Sequence, residues 1–140
     1  MSDALDQALR ALRHRDRSAA EVDRYLAARG VGDDERKTTL ETLTRTDLVD
    51  DRRYAERRAE SLADRGAGDA SIRHEFARAG LDPDVVEDAL GSLRPERERA
   101  EEIVARRGAS PRTARYLAGK GFSYDVVESF IAQSRGETLG

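Results

Sequence analysis

The sequence predicts an all-α fold, an elongated array of three tandem three-helix repeats, and three observations carry that prediction. Apolar residues recur at spacings of three and four along the chain, glycine, proline and capping residues punctuate those runs, and one pattern returns three times. No stretch alternates like a half-buried strand.

Taken in order, Leu5, Leu9 and Leu12 mark the first helix. Ser18 with Glu21 forms a capping box that opens the second, whose stripe is Val22, Tyr25 and Leu26 and whose end is Gly30, a position for a left-handed residue. Leu40 and Leu43 mark the third. Asp50 and Asp51 open the fourth, where acids cap free N–H groups and favour the positive end of the helix dipole. Its stripe is Tyr54, Ala55, Ala59 and Leu62, and Gly66 follows. Ile72 and Phe76 belong to the fifth, closed by Gly80; Asp82-Pro83 opens the sixth, with Val86, Ala89, Leu90 and Leu93. Pro95, like Pro83 and Pro111, is assigned to a first helical position, which tolerates a missing N–H. Ala100, Ile103 and Val104 then form the stripe of the seventh helix, ended by Gly108. Ser110-Pro111 opens the eighth, with Tyr116 and Leu117 before Gly121, and Val127, Phe130 and Ile131 mark the ninth. Helices of about three turns are marginal alone in water, so neighbours must hold them.

The repeat is visible by alignment. Leu26, Phe76 and Leu117 each precede a glycine by four; Val31, Leu81 and Phe122 follow it; Asp34, Asp84 and Asp125 stand four past it; Leu40, Leu90 and Ile131 lie ten past it. The copies are 50 and 41 residues apart, the range of stacked modules. With a charged helix ahead of each pair, the units are predicted at 1–47, 48–94 and 95–140. Thr113, in the register of Val22 and Ile72, weakens the third stripe.

Composition excludes several functions. The absence of cysteine rules out disulfides and thiolate zinc sites, and two separated histidines, His14 and His74, make no metal cage, so neither metal nor cofactor is expected. No Ser–His–Asp set, phosphate loop or dinucleotide fingerprint is present. Asp50, Asp51 and Glu56 could be offered as a metal-hydrolase set, but neighbours on one helix point about 100° apart and do not converge. No catalytic residue is predicted. No apolar run is long enough for a membrane span or a signal peptide, which predicts a cytoplasmic protein. A net charge of −3 makes the chain no polycation, so nucleic acid would have to meet a local patch.

Three arginine groups are candidate contacts for a partner protein or for phosphate: Arg10, Arg13 and Arg17, spaced along the first helix; Arg52, Arg53, Arg57 and Arg58, off the fourth helix's stripe; and Arg106, Arg107, Arg112, Arg115 and Lys120 near the C-terminus. Each group could equally be a solvated helical face. Tyr25, Tyr54 and Tyr116 stand beside aliphatic residues and are read as core rather than as base-stacking platforms. A helix-turn-helix reader of bases is disfavoured because no second helix offers an Arg, Asn and Gln cluster, and asparagine is absent.

Arg15-Asp16-Arg17-Ser18 ahead of the second helix, Val49-Asp50-Asp51-Arg52-Arg53-Tyr54-Ala55, the Gly66 and Gly68 hinge and the Phe76-to-Gly80 spacing together resemble the RecX family of recombination regulators. The resemblance spans essentially the whole chain and is strongest over 8–93. It implies an array of three-helix repeats that lodges on a RecA-type recombinase filament on single-stranded DNA and suppresses its ATPase and strand exchange. It also implies a monomer with at most weak direct DNA contact.

Overall fold

The computed structural model describes residues 3–134, all helix and connecting turns, so the outer ends of the first and third predicted units, 1–2 and 135–140, lie outside the described residues. Among the described residues run nine helices: α1 (Asp3–His14), α2 (Ala19–Ala28), α3 (Asp33–Arg45), α4 (Asp51–Asp64), α5 (Asp69–Arg78), α6 (Pro83–Gly91), α7 (Glu96–Arg107), α8 (Pro111–Gly119) and α9 (Tyr124–Ser134). None of them is long and apolar enough to cross a membrane.

Most of the predicted punctuation is present. The capping box forms between Ser18 and Glu21, Asp50 Oδ1 accepts the Arg53 N–H, and Ser110 Oγ accepts the Thr113 N–H. Asp34, Asp84 and Asp125 occupy the first turns of α3, α6 and α9, where the dipole favours an acid. Pro83 and Pro111 open their helices as expected, but Pro95 is the N-cap of α7, and Glu96 holds the first helical position. Its extended ψ of 142° keeps it outside the helix.

One expectation about the first unit needs correction. Arg17 does not share the α1 face of Arg10 and Arg13, because α1 stops at His14; the Arg17 Nε–H turns back to the Ala11 carbonyl. Leu5, Leu9 and Leu12 pack half-buried against the first core as their spacing predicts, and Ala4, Ala8 and Ala11 beside them are essentially inaccessible. A methyl side chain lets one helix backbone lie close on the next, and the larger leucines then seal the sides.

Three cores follow the chain. Ala8, Val22, Leu26, Leu43 and Val49 form the first, Phe76 with Tyr54, Ala55, Ala59, Ile72 and Val86 the heart of the second, and Ile103, Leu117, Phe122 and Phe130 that of the third. Leu26, Phe76 and Leu117, the three residues aligned by the repeat, are all completely buried. Thr113 keeps its place in the third stripe at 3 % exposure by accepting the Ser110 hydroxyl.

Successive units meet end to end through their second helices. The Gly68 N–H donates to Lys120 O (2.8 Å), the Ala70 N–H to Gly121 O (3.1 Å) and the Ser71 hydroxyl to Lys120 O (2.8 Å), so the start of α5 abuts the end of α8. One unit earlier the Ser18 hydroxyl donates to Ala79 O (2.6 Å), placing the start of α2 on the end of α5. The column α8–α5–α2 therefore aligns opposite partial charges at each joint. An acid from the following unit's first helix closes each joint: Asp51 accepts the Ala19 N–H (2.8 Å), and Glu96 accepts both the Asp69 N–H (2.7 Å) and the Ser123 N–H (3.1 Å). In the repeat register, Ala70 corresponds to Pro111 at the start of α8.

Candidate functional site

The chain's chemistry lies in its arginines, and folding sorts them into engaged and free. On α4, Arg58 grips Glu75 with two bonds of 2.8 Å, Arg52 pairs with Asp88 at 2.7 Å, Arg53 donates to Asp47 O at 2.9 Å, and Arg57 reaches Asp16 at 3.4 Å. The Arg58 pair is about one-third exposed on both sides. These four residues tie α4 to neighbouring segments, though solvent screens such exposed contacts and leaves each a small contribution to stability. Arg17 lies 5.4 Å from the centre of the Tyr25 ring, whose face Arg29 covers at 3.6 Å. Arg10 and Arg13 are exposed on α1 and meet no carboxylate among the described residues.

The C-terminal group is different. From Ile103 to Tyr124 there is no aspartate or glutamate, and this stretch carries Arg106, Arg107, Arg112, Arg115 and Lys120. The four arginines are exposed and form no ion pair among the described residues; Arg107 stacks 3.6 Å from the centre of Tyr116. Lys120 is half-buried beside Gly66, and its carbonyl belongs to the joint. The turn between α7 and α8 thus presents a single sign of charge.

Tyr54 is core, its ring centre 6.5 Å from that of Phe76, whereas Tyr25 and Tyr116 are half-buried platforms for arginine. No group of three metal-ligating side chains occurs among the described residues.

Sequence reasoning missed Arg99, which is only 8 % exposed. It donates to Ala67 O and Arg94 O, both at 2.9 Å, and pairs with Asp69, fastening α7 across the second joint. The available signal was its place four before Ile103, on the apolar stripe. Asp51 was assigned to its own helix; only the fold reveals that its carboxylate caps α2.

The engaged carboxylates predict a pH dependence. Arg58 and Arg73 hold Glu75 and Glu87 below the usual carboxylate range, and Glu21, which burial pushes up, is brought below it by bonds from Arg15 and the Ser18 main chain. Stability from a depressed carboxylate is complete above its unfolded value and is lost as pH falls through the folded one. The urea midpoint should therefore hold steady down to about pH 5 and fall below about pH 4.5, less steeply in Glu75→Gln. A midpoint that rises on acidification would contradict these pairs.

Comparison with known proteins accords with this architecture. Residues 4–43 match the family model for the first three-helix domain of RecX, and residues 50–90 match that for the second. The chain is 34 % identical over 138 residues to the regulatory protein RecX of Chromohalobacter salexigens, covering 92 % of this chain and 91 % of that one. It is 33 % identical over 148 residues to that of Mycolicibacterium smegmatis, covering 91 % and 79 %. Both relatives are named as regulatory proteins. The crystal structure of RecX from Lactobacillus salivarius superimposes with a TM-score of 0.77 at 24 % identity over 94 % of each chain, a likeness of fold. With three-helix units in matching order and such identity along nearly its whole length, this chain belongs to the RecX family.

Proposed function

We propose that this protein binds a RecA-type recombinase in its filament on single-stranded DNA and inhibits its ATPase, recombinase and coprotease activities, acting by binding alone and without cofactor. In this reading it is a cytoplasmic monomer whose units, 1–47, 48–94 and 95–140, serve as successive modules along the filament. Family membership supports the activity. The observation that carries the contact surface is the acid-free stretch from Ile103 to Tyr124, whose exposed arginines have no carboxylate of their own. Free guanidinium groups on a preformed helical corner can engage carboxylate or phosphate without first breaking an internal pair. Arg10 and Arg13 are secondary contacts by the same reasoning, while the α4 arginines would have to exchange partners.

The test is the DNA-dependent ATPase of the host's recombinase, titrated with this protein beside a binding assay on the same DNA alone. Inhibition is expected at concentrations too low to coat free DNA. Arg112→Glu with Arg115→Glu should raise the half-inhibitory concentration at least tenfold, about 1.4 kcal/mol, with unchanged helicity. Inhibition equal to wild type would remove this surface from the contact. The single-sign corner also favours a second reading, a helical protein that contacts DNA phosphates. That reading requires binding to DNA alone that weakens steeply with salt, and no inhibition of the recombinase at low occupancy.

A further inference from the structure

At the joint between the first two units lies a groove of about 570 Å³, lined by five arginines and three acids. Two of the arginines are satisfied: Arg15 by Glu21 and Arg58 by Glu75, each through two bonds. Arg57 shares Asp16 at 3.4 Å. That leaves Arg24 and Arg78 as a positive surplus, neither of them in the arginine groups that the sequence suggested. Arg24 lies across the joint and donates to the Arg78 carbonyl at 2.5 Å, but no carboxylate among the described residues meets it. The Arg78 guanidinium is exposed and makes no bond among the described residues. Gly80 lets α2 lie close on the end of α5 beside the groove: a Cβ there would stand 3.2 Å from Arg24 Nη2 and 2.5 Å from the Ala20 Cβ.

We infer that this groove receives a carboxylate-bearing segment of a protein partner, with Arg24 and Arg78 as its grip. Guanidinium groups suit a carboxylate because their fork of donors can bind both oxygens. The three acids of the same groove decide between oxyanions. Although paired with Arg15, Arg57 and Arg58, they oppose the unbroken line of negative charge that a phosphodiester strand would run past them, whereas a polypeptide can place a single carboxylate between Arg24 and Arg78 and stay neutral elsewhere. An occupant bridging Arg24 on α2 and Arg78 on α5 would also brace one unit against the next. Identifying that partner with the recombinase rests on the function proposed above; the chemistry of the groove does not.

Two arms separate these claims. In the first, a peptide with one glutamate among alanine and serine residues, blocked at both ends, is titrated into isotope-labelled full-length protein, with a thymidine oligonucleotide in parallel, and the arginine Nε–Hε signals are followed. The peptide should shift Arg24 and Arg78, and Arg78→Glu should weaken its binding at least tenfold at an unchanged melting temperature. The oligonucleotide should leave those two signals in place. No shift with the peptide, or equal shifts with both probes, overturns the assignment. In the second arm, Arg78→Glu should raise the half-inhibitory concentration against the recombinase at least tenfold without altering binding to DNA alone. If the variant inhibits like wild type, the recombinase is not the occupant. If the peptide binds but wild-type protein does not inhibit, the function proposed above fails and the groove assignment survives.

Discussion

Phe76→Ala should destabilise the middle unit by about 3–5 kcal/mol, the usual cost of emptying a phenylalanine site in a core that relaxes only partly. The ring is wholly inaccessible and is the largest such side chain in the described fold, packed with Tyr54, Ile72 and the small residues of α4. Few side chains could move in to refill the space, because Ala55 and Ala59 are already completely buried. In a linear array stability is close to a sum of unit and joint contributions, so weakening the centre also removes the support that each outer unit takes from it. Urea unfolding followed by helicity should show a midpoint well below wild type and a broader transition. An unchanged midpoint would mean that Phe76 is not the centre of that core.

Gly68→Ala should open the second joint at a cost of about 2–4 kcal/mol, combining overpacking with the loss of two main-chain bonds. Gly68 has an ordinary φ of −83°, so alanine meets no backbone penalty there. The obstacle is proximity: the added methyl would press on the Gly121 carbonyl carbon and the Phe122 nitrogen, main-chain atoms that cannot swing aside. Gly32 provides the control. It too is an N-cap glycine, φ −70°, but nothing lies within 4 Å of a Cβ placed there, and Gly32→Ala should cost less than about 1 kcal/mol. Hydrogen exchange at the Gly68 and Ala70 amides reads the joint directly. Protection equal to wild type in Gly68→Ala would show that the joint absorbs the methyl.

Much of this architecture was legible because it is written in local spacing. Leu26, Phe76 and Leu117 with their following glycines revealed three units before any contact was known, and all three side chains are fully buried. The alanine seam of α1 was not legible, since alanine belongs to the apolar pattern without announcing where two backbones approach. Pro95 missed by one residue because N-cap and first-turn prolines look alike in sequence. The arginines were the harder problem. The charge segregation from Ile103 onward can be counted directly, but Arg58 meets Glu75 and Arg52 meets Asp88 only after the chain has folded, across separations of 17 and 36 residues. Which cations stay free depends on where every carboxylate lands, and that is tertiary information.

Pro111 has a consequence beyond its own helix. The end of α2 at Gly30 is unobstructed and has the left-handed turn that the joints place at Gly80 and Gly121. Such an end offers a seat for the start of another molecule's α8, and a heterologous contact of that kind closes into a ring or grows into a fibre. The start of α8 carries proline in the register of Ala70, whose N–H bonds Gly121 O in the second joint. Lacking that donor, it cannot reproduce the bond on a neighbouring copy. One missing hydrogen thus leaves any such self-stacking contact without a bond that the second joint makes.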